Sequence, residues 1–363
     1  MQKIISLFII GIALLACTGK RESACLLKEI GRMPAIEEGY EQGVSACYAA
    51  LYDGALYIAG GCNFPDKPAA EGGTKRYYKG IYRATLADTL VWEQVGTLPE
   101  ASAYGVSVQE GERWYIIGGI NENSSLKTVF SIDISNGCKI DTLPALPYSI
   151  DNAAGCIANK VIYVAGGNIE GKASNRVYAL DLSRANCWEM IEEMPSRARV
   201  QPVCASNNGN IFVWGGFAPN DSTEVAVVHT DGVCYNIKEK KWSHLPHIVV
   251  NGDTITVSGG TAANIDNSII VAGGVNRHIF ADAISGRYNI ISKEEYMYQP
   301  AEWYSFNKYL LIYDANGEWH KKYCDDIFAR AGAVIIGNDE NIFYIGGELK
   351  PGIRTPQIHQ YKD

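Results

Sequence analysis

The sequence lacks the short motifs that mark several large enzyme classes. No G-x-G-x-x-G or phosphate-cradling loop opens a helix, and neither H-E-x-x-H nor G-x-S-x-G occurs. The six histidines are scattered, and only His244 and His247 stand close together. These absences weigh against nucleotide-dependent chemistry, a metal centre and a serine hydrolase.

Long basic runs are also missing. The formal net charge is −8, from 32 basic and 40 acidic residues. Because nucleic-acid binding depends on neutralising phosphates, this balance argues against a nucleic-acid partner. The 363 residues, 47% of them hydrophobic, suffice for one large domain or two ordinary ones.

The N-terminus carries an apolar run, residues 4–16, preceded by one lysine. The run is too short to span a bilayer comfortably and has the length of a signal-peptide core. The end of the run and the next residue read Leu-Leu-Ala-Cys, which resembles a bacterial lipobox. We therefore expect a signal peptide over residues 1–16, a lipidated Cys17 and a periplasmic protein anchored to a bacterial membrane. Ordinary cleavage nearby, with Cys17 unmodified, is the alternative.

Ten cysteines in an exported chain first suggest disulfides. Setting Cys17 aside leaves an odd number, and no C-x-x-C spacing is present. Cys47, Cys156 and Cys204 precede double glycines at matching places, as small half-buried strand residues would. A disulfide framework is not expected, although a single bridge stays open.

Six apolar runs end in a double glycine at intervals of 48 to 73 residues. They are ALYIAGG, RWYIIGG, VIYVAGG, IFVWGG, IIVAGG and IFYIGG. Each run has the composition of a strand, and most units add a later strand with a tryptophan. The pattern resembles the kelch repeat and predicts an all-β, six-bladed β-propeller, one domain over residues 17–363. A β-sandwich also fits regular short strands but gives no reason for six in-phase doublets.

The two ends of the chain complement each other. The last unit stops at Asp363 without a fourth strand, and residues 25–34, CLLKEIGRMP, have the fourth-strand pattern without a unit of their own. We expect this segment to complete the last blade and so close the ring, which leaves no open sheet edge.

The segment after the double glycine is elaborated in three units. It covers residues 62–79 in the first, 275–306 in the fifth and ELKPGIRT in the sixth. Because these units are consecutive around a ring, their loops should crowd one sector at the mouth of the central channel. Their combined charge of +3, on an acidic chain, favours an anionic ligand.

GGELKPGIRT, residues 346–355, resembles the GE-KPG-RT signature of the bacterial N-acetylneuraminate epimerases, or sialic acid mutarotases. GGVNRHIF and FNKYLLIYD are similar to further segments of that family. The blade order is rotated, as in the cyclically permuted mutarotases. The resemblance implies anomer exchange on a sialic acid without a metal or redox cofactor. A propeller that only binds a glycan or a protein, and a mutarotase for another acidic sugar, are the alternatives. The oligomeric state, a homodimer included, stays open.

Resemblance and chemistry together assign two catalytic residues. Glu348 is the general acid/base, and it should begin as the base because a nearby guanidinium favours its ionised form. Arg354 should hold the substrate carboxylate with its planar fork.

Further candidates are less specific. Asn63 and Asn276, each two residues past a double glycine, could bind ring hydroxyls or the N-acetyl group. Arg76 and Arg199 are candidates on charge alone. Tyr104, Lys350 or water could supply the acid that protonates the ring oxygen.

Overall fold

The computed structural model describes residues 26–87, 89–265, 268–338 and 341–362. The predicted signal peptide, Cys17 and Cys25 lie outside these residues. Two α-helices are described, α1 (Arg277–Ile284) and α2 (Lys293–Tyr296), with short 3-10 turns at Tyr40–Gln42, Ala69–Glu71, Ile134–Asn136, Ala301–Tyr304 and Asp326–Phe328. The strands are β1 (Leu26–Arg32), β2 (Tyr48–Tyr52), β3 (Ala55–Ala59), β4 (Cys62–Asn63), β5 (Arg76–Tyr77), β6 (Gly80–Thr85), β7 (Trp92–Thr97), β8 (Val106–Glu110), β9 (Arg113–Ile117), β10 (Val129–Asp133), β11 (Lys139–Thr142), β12 (Ile150–Asp151), β13 (Ala154–Ala158), β14 (Val161–Ala165), β15 (Asn168–Ile169), β16 (Lys172–Ala173), β17 (Val177–Asp181), β18 (Glu189–Met190), β19 (Val200–Asn207), β20 (Asn210–Ala218), β21 (Val227–Val228), β22 (Gly232–Asn236), β23 (Lys241–Leu245), β24 (Val249–Val250), β25 (Asp253–Thr254), β26 (Thr261–Ile265), β27 (Ser268–Ala272), β28 (Tyr309–Tyr313), β29 (Trp319–Cys324), β30 (Val334–Gly337), β31 (Ile342–Ile345), β32 (Glu348–Lys350), β33 (Ile353–Arg354) and β34 (Gln357–Lys362).

Six antiparallel sheets form the body of the protein, and we number them as blades. In strand order they are blade 1 (β2-β3-β6-β7), blade 2 (β8-β9-β10-β11), blade 3 (β13-β14-β17-β18), blade 4 (β19-β20-β22-β23, with β21 on β20), blade 5 (β26-β27-β28-β29) and blade 6 (β30-β31-β34-β1). In blade 6, β1 pairs with β34 from Leu26↔Lys362 to Arg32↔Gln357, so the fourth strand comes from the start of the described chain. The all-β, kelch-type propeller predicted from the repeat is confirmed.

The start of each innermost strand carries one residue with left-handed backbone geometry. These residues are Ala46, Tyr104, Asn152, Gln201, Gly259 and Gly332. The amide of each donates to the carbonyl of the corresponding residue in the preceding blade, and the amide of Ala46 donates to Gly332 at 2.7 Å. The six bonds therefore run through every blade and return to Ala46. A non-glycine residue in this geometry costs on the order of 1 kcal/mol, which the inter-blade hydrogen bond offsets.

The double glycines join neighbouring blades. The Gly347 amide donates to the Val44 carbonyl of blade 1 at 3.0 Å, and the second glycines of blades 1, 2, 3 and 5 make the equivalent bond to the next blade. Gly347 has a φ of 96°, and a Cβ there would lie 2.7 Å from the Cβ of Ala333. A side chain is excluded at this position, which explains why the doublet recurs in phase.

The core consists of six apolar clusters, each between two adjacent blades. Between blades 6 and 1, Ile30 of β1 packs with Leu56 and Phe343. The repeated tryptophans join the outer edges: the Trp92 indole donates to the Arg32 carbonyl of the preceding blade at 2.8 Å, and Trp188 and Trp242 do the same further along. β1 therefore contributes to both the core and the outer edge.

The eight cysteines of the described chain are all free, and Cys47, Cys156 and Cys204 are buried more completely than the half-buried positions the sequence predicts. Within residues 26–362, gaps excepted, no helix has the length and apolarity needed to cross a membrane.

Candidate active site

The elaborated loops of blades 5, 6 and 1 contact one another, as the sequence predicts. The Lys350 ammonium of blade 6 donates to the Gln299 carbonyl of the blade 5 loop at 2.7 Å. That loop reaches blade 1 through the Tyr298 hydroxyl, which donates to the Ala70 carbonyl at 2.8 Å. These contacts gather the three loops over one sector of the propeller.

A short hairpin in the loop between β31 and β34 of blade 6 positions the two predicted catalytic residues. Strands β32 and β33 are joined by Pro351 and Gly352, and Glu348 pairs directly with Arg354 across them. Cross-strand partners project on the same face, so the two side chains meet. Arg354 Nη2 lies 2.7 Å from Glu348 Oε2, with side-chain exposures of 3% and 21%.

The Arg354 guanidinium is buried and only partly satisfied. Its Nε donates to Ser45 Oγ at 3.1 Å, and the group lies over the Phe64 ring, 5.0 Å from the centroid. The third nitrogen, Nη1, is buried and has no hydrogen-bond partner among the described residues. Because an unsatisfied buried donor is unfavourable, Nη1 is available for a ligand acceptor.

Two further side chains of blades 1 and 2 complete this cluster. The Tyr104 hydroxyl lies 3.5 Å from Ser45 Oγ. The Lys75 ammonium lies 5.4 Å from the Tyr104 ring centroid and 5.7 Å from that of Phe64. The sequence indicates the neighbouring Arg76 in this loop on charge alone. Lys75 is identified by its cation–aromatic contacts, which exist only in the folded loop.

Burial sets the proton affinities in the cluster. It raises the pKa of Glu348, and the opposing effects of Arg354, the Gly352 amide and Lys75 are smaller. The Arg354 guanidinium thus favours the ionised carboxylate, as the sequence predicts, but desolvation has the larger effect and raises the pKa overall. Burial also raises the pKa of Tyr104, which keeps the phenol protonated.

Asn63 and Arg76, both predicted to bind substrate, have protein partners in the structure. Asn63 is 2% exposed, and its amide donates to the carbonyls of Gly39 and Gly43 and accepts from Tyr78. It therefore fixes the backbone that enters blade 1. Arg76 lies at the surface and pairs with Asp66 at 3.1 Å.

Arg199 is also structural. It is fully buried, donates to the Gly215 carbonyl at 2.8 Å and pairs with Asp231 at 2.9 Å. Arg330 makes the equivalent bond to Gly346 at 2.9 Å. Both arginines hold the first glycine of the next double glycine, and aligning the repeats around them would have revealed this role.

Asn276 and Lys350 occupy the loops around the cluster. The side-chain Oδ1 of Asn276 caps α1 by accepting from the amides of His278 and Ile279. Asn276 and Leu349 both line a cavity of about 840 Å³. Lys350 is committed to Gln299, which favours a role in holding the loop over one in proton transfer.

One group of potential metal ligands lies away from the site. Ligand atoms of Asp314, Glu318 and His320 come within 4.8 Å of one another at the β28–β29 turn. Asp314 accepts from the amides of Asn316 and Glu318 and contacts His320 at 2.9 Å. These bonds close the turn.

The sequence profile of the N-acetylneuraminate epimerase family matches residues 143–362. An N-acetylneuraminate epimerase of Haemophilus influenzae (strain PittEE) is 28% identical over 249 residues, 66% of this chain and 64% of the relative. One of Salmonella typhimurium (strain LT2) is 30% identical over 243 residues, 64% of this chain and 61% of the relative. The match thus spans less than two thirds of these relatives. The solved structure of YjhT has the same fold, with a TM-score of 0.64 at 15% identity over 88% of this chain and 98% of YjhT.

Proposed function

The chain belongs to the N-acetylneuraminate epimerase family, and from this premise we propose that it interconverts the α and β anomers of N-acetylneuraminate. One observation carries the proposal: a half-buried carboxylate, Glu348, is held against a buried guanidinium whose Nη1 still lacks a partner. That pair offers a proton acceptor and an anion-binding donor side by side. The substrate needs both, because its carboxylate and its anomeric hydroxyl are bonded to the same carbon.

Glu348 would remove the anomeric proton. As the hydroxyl oxygen becomes a carbonyl, the bond from the anomeric carbon to the ring oxygen breaks, and its electrons leave on that oxygen. After the opened chain turns about a carbon–carbon bond, the ring hydroxyl attacks the other face of the carbonyl and gives its proton back to the group that supplied it, while Glu348 returns its own proton to the new anomeric oxygen. The raised pKa supports this double role, since a group that gives and takes a proton works best near the ambient pH.

Tyr104 would protonate the ring oxygen as the bond breaks. Its hydroxyl lies in the same cluster, and its raised pKa keeps the proton in place before reaction. A sugar alkoxide is a strong base, so the ring oxygen takes up this proton as its bond to the anomeric carbon breaks. The Arg354 guanidinium lowers the pKa of Tyr104 against the effect of burial, which stabilises the phenolate while the ring is open.

Tyr104→Phe is expected to lower kcat for anomer exchange by on the order of a hundredfold, with little change in KM. The ring and the left-handed backbone stay, and only the acidic proton is lost. Exchange is followed by NMR, with Tyr148→Phe, an exposed tyrosine away from the site, as the matched control. A normal kcat in Tyr104→Phe would assign the acid role to water.

The wild-type assay tests the function itself. A sialidase releases α-N-acetylneuraminate, and proton NMR follows its conversion with and without the protein. Equal rates in the two samples would refute the epimerase proposal. Saturable binding by calorimetry without exchange would instead identify a glycan-binding propeller, and a panel of other acidic sugars in the same assay covers a different substrate.

We also propose that the mature chain, residues 17–363, is exported and lipid-anchored through Cys17, on the strength of the lipobox-like Leu-Leu-Ala-Cys. In a bacterial host, Cys17→Ala is expected to abolish incorporation of labelled palmitate into the protein. Cys187→Ala, an exposed cysteine of the propeller, is the control. Persistent labelling of Cys17→Ala would contradict lipid attachment at this residue.

A further inference from the structure

Lys75 is a half-buried cation without a counter-ion. It lies in the blade 1 loop between β4 and β5, with its ammonium beside Phe64 and Tyr104. Among the described residues it makes no ion pair and no hydrogen bond. The loop precedes residues 143–362, which match the family profile, so the profile gives this lysine no role.

Lys75 and Arg354 both lie close to one aromatic ring. The guanidinium lies 5.0 Å and the ammonium 5.7 Å from the Phe64 centroid. Both cations also act on the same neighbours, since each lowers the pKa of the Cys62 thiol and of the Glu348 carboxyl against burial. They therefore form one electrostatic cluster, although they come from blades 1 and 6.

The cluster has an excess of positive charge. With Glu348 ionised it carries +1, and with Glu348 protonated it carries +2. The three tyrosines on which Glu348 acts, Tyr104, Tyr296 and Tyr304, are neutral because burial raises their pKa values. A partly buried charge without a counter-ion is unfavourable, so the arrangement is most stable when a ligand supplies a negative charge.

We propose that Lys75 is a specificity-determining residue that, together with Arg354 Nη1, binds the carboxylate of the sugar acid from two sides. This inference rests on the proposed function and adds a second cation to its carboxylate site. Two-point binding would fix the acid end of the opened α-keto acid while the rest of the chain turns. It would also make a free carboxylate beside the anomeric centre a requirement for substrates, excluding neutral sugars.

The test compares Lys75→Met, Lys75→Arg and wild type. Lys75→Met should raise KM for N-acetylneuraminate by on the order of tenfold, the effect of losing one charge-assisted contact. Wild type should strongly prefer the free acid over its methyl ester, and the variant should lose about tenfold of that preference. Lys75→Arg should recover most of it. Lys67→Met, an exposed lysine of the same loop, serves as control.

The pH dependence separates this role from simple packing on Phe64. Lys75 lowers the pKa of Glu348, so its removal should move the acidic limb of kcat/KM to higher pH. Arg354 and the Gly352 amide, which also face the carboxylate, are unchanged in this variant.

The outcomes distinguish this inference from the proposed function. If wild type exchanges anomers and Lys75→Met keeps its KM, ester preference and pH limb, the inference is overturned and the function stands. If wild type does not exchange anomers, calorimetry with N-acetylneuraminate decides. Binding lost in Lys75→Met supports the carboxylate site, whereas equal binding, or no binding by wild type, overturns it.

Discussion

Glu348→Gln is expected to lower kcat for anomer exchange by at least about a hundredfold while the protein stays folded. Glutamine cannot accept the anomeric proton, so ring opening would depend on water. The fold should persist because the β32–β33 hairpin is held by backbone pairing, and the amide oxygen can still accept from Arg354 Nη2. KM should change little, since the guanidinium remains to bind the carboxylate.

Anomer exchange by NMR and thermal unfolding by circular dichroism together check this prediction. Glu302→Gln, in the neighbouring blade 5 loop, is the matched control and should retain wild-type exchange. The acidic limb of the wild-type kcat/KM profile should lie above the ordinary glutamate pKa, since burial raises the pKa of Glu348. Normal exchange by a folded Glu348→Gln variant would remove Glu348 from the mechanism and leave the epimerase proposal standing.

The repeat was readable from the sequence because each of its signals has a local physical cause. The double glycine recurs because a Cβ at Gly347 would collide with Ala333, the residue before β30. The later tryptophan recurs because its indole bonds to the preceding blade, as Trp92 does to Arg32. The position of β1 followed from the missing strand of the last unit.

The site was predictable only where the signal was local. Glu348 and Arg354 share one hairpin, so their pairing follows from the spacing around Pro351 and Gly352. The predictions for Asn63 and Arg199 as substrate-binding residues depend on residue type. In the structure their side chains donate hydrogen bonds to backbone carbonyls. Ser45, Phe64 and Lys75 could not be selected, because only the packing of blade 1 against blade 6 brings them to Arg354.

The direction of the Glu348 pKa shift could not be read from the sequence either. An arginine six residues away indicates a charge pair. The desolvation of the Glu348 carboxylate, however, depends on how the loops of blades 5, 6 and 1 pack around it in the folded protein. The balance between the two decides whether the carboxylate is a weak or a strong base. Here burial prevails, and the pair supplies a base with a higher proton affinity than an exposed glutamate.

Arg354→Met is expected to reduce kcat/KM by on the order of a thousandfold and to destabilise the protein. Methionine retains an apolar chain against Phe64 but removes the carboxylate-binding donors and leaves Glu348 unpaired. Breaking a fully buried pair costs about 3–5 kcal/mol. Because the Glu348 side chain keeps 21% exposure, we expect roughly 2–3 kcal/mol, below or at the lower end of that range.

This destabilisation should grow with pH. Without Arg354, which lowers the pKa of Glu348 in wild type, the carboxyl in the folded variant has a still higher pKa, whereas its pKa in the unfolded chain is ordinary. The folded state then binds more protons, and stability present below the unfolded pKa is lost as pH rises through the folded pKa. Urea unfolding at pH 5 and pH 8 measures the difference, with Arg76→Met, a surface arginine, as control.

The double variant Arg354→Met/Glu348→Gln isolates the cause. Removing the unpaired carboxyl should restore most of the lost stability at pH 8 and abolish its pH dependence, while anomer exchange stays absent. The two effects are then strongly non-additive, as expected for residues in direct contact. If the double variant is as unstable as Arg354→Met alone, the loss comes from packing around Phe64 and Ser45, and the buried charge on Glu348 is not its source.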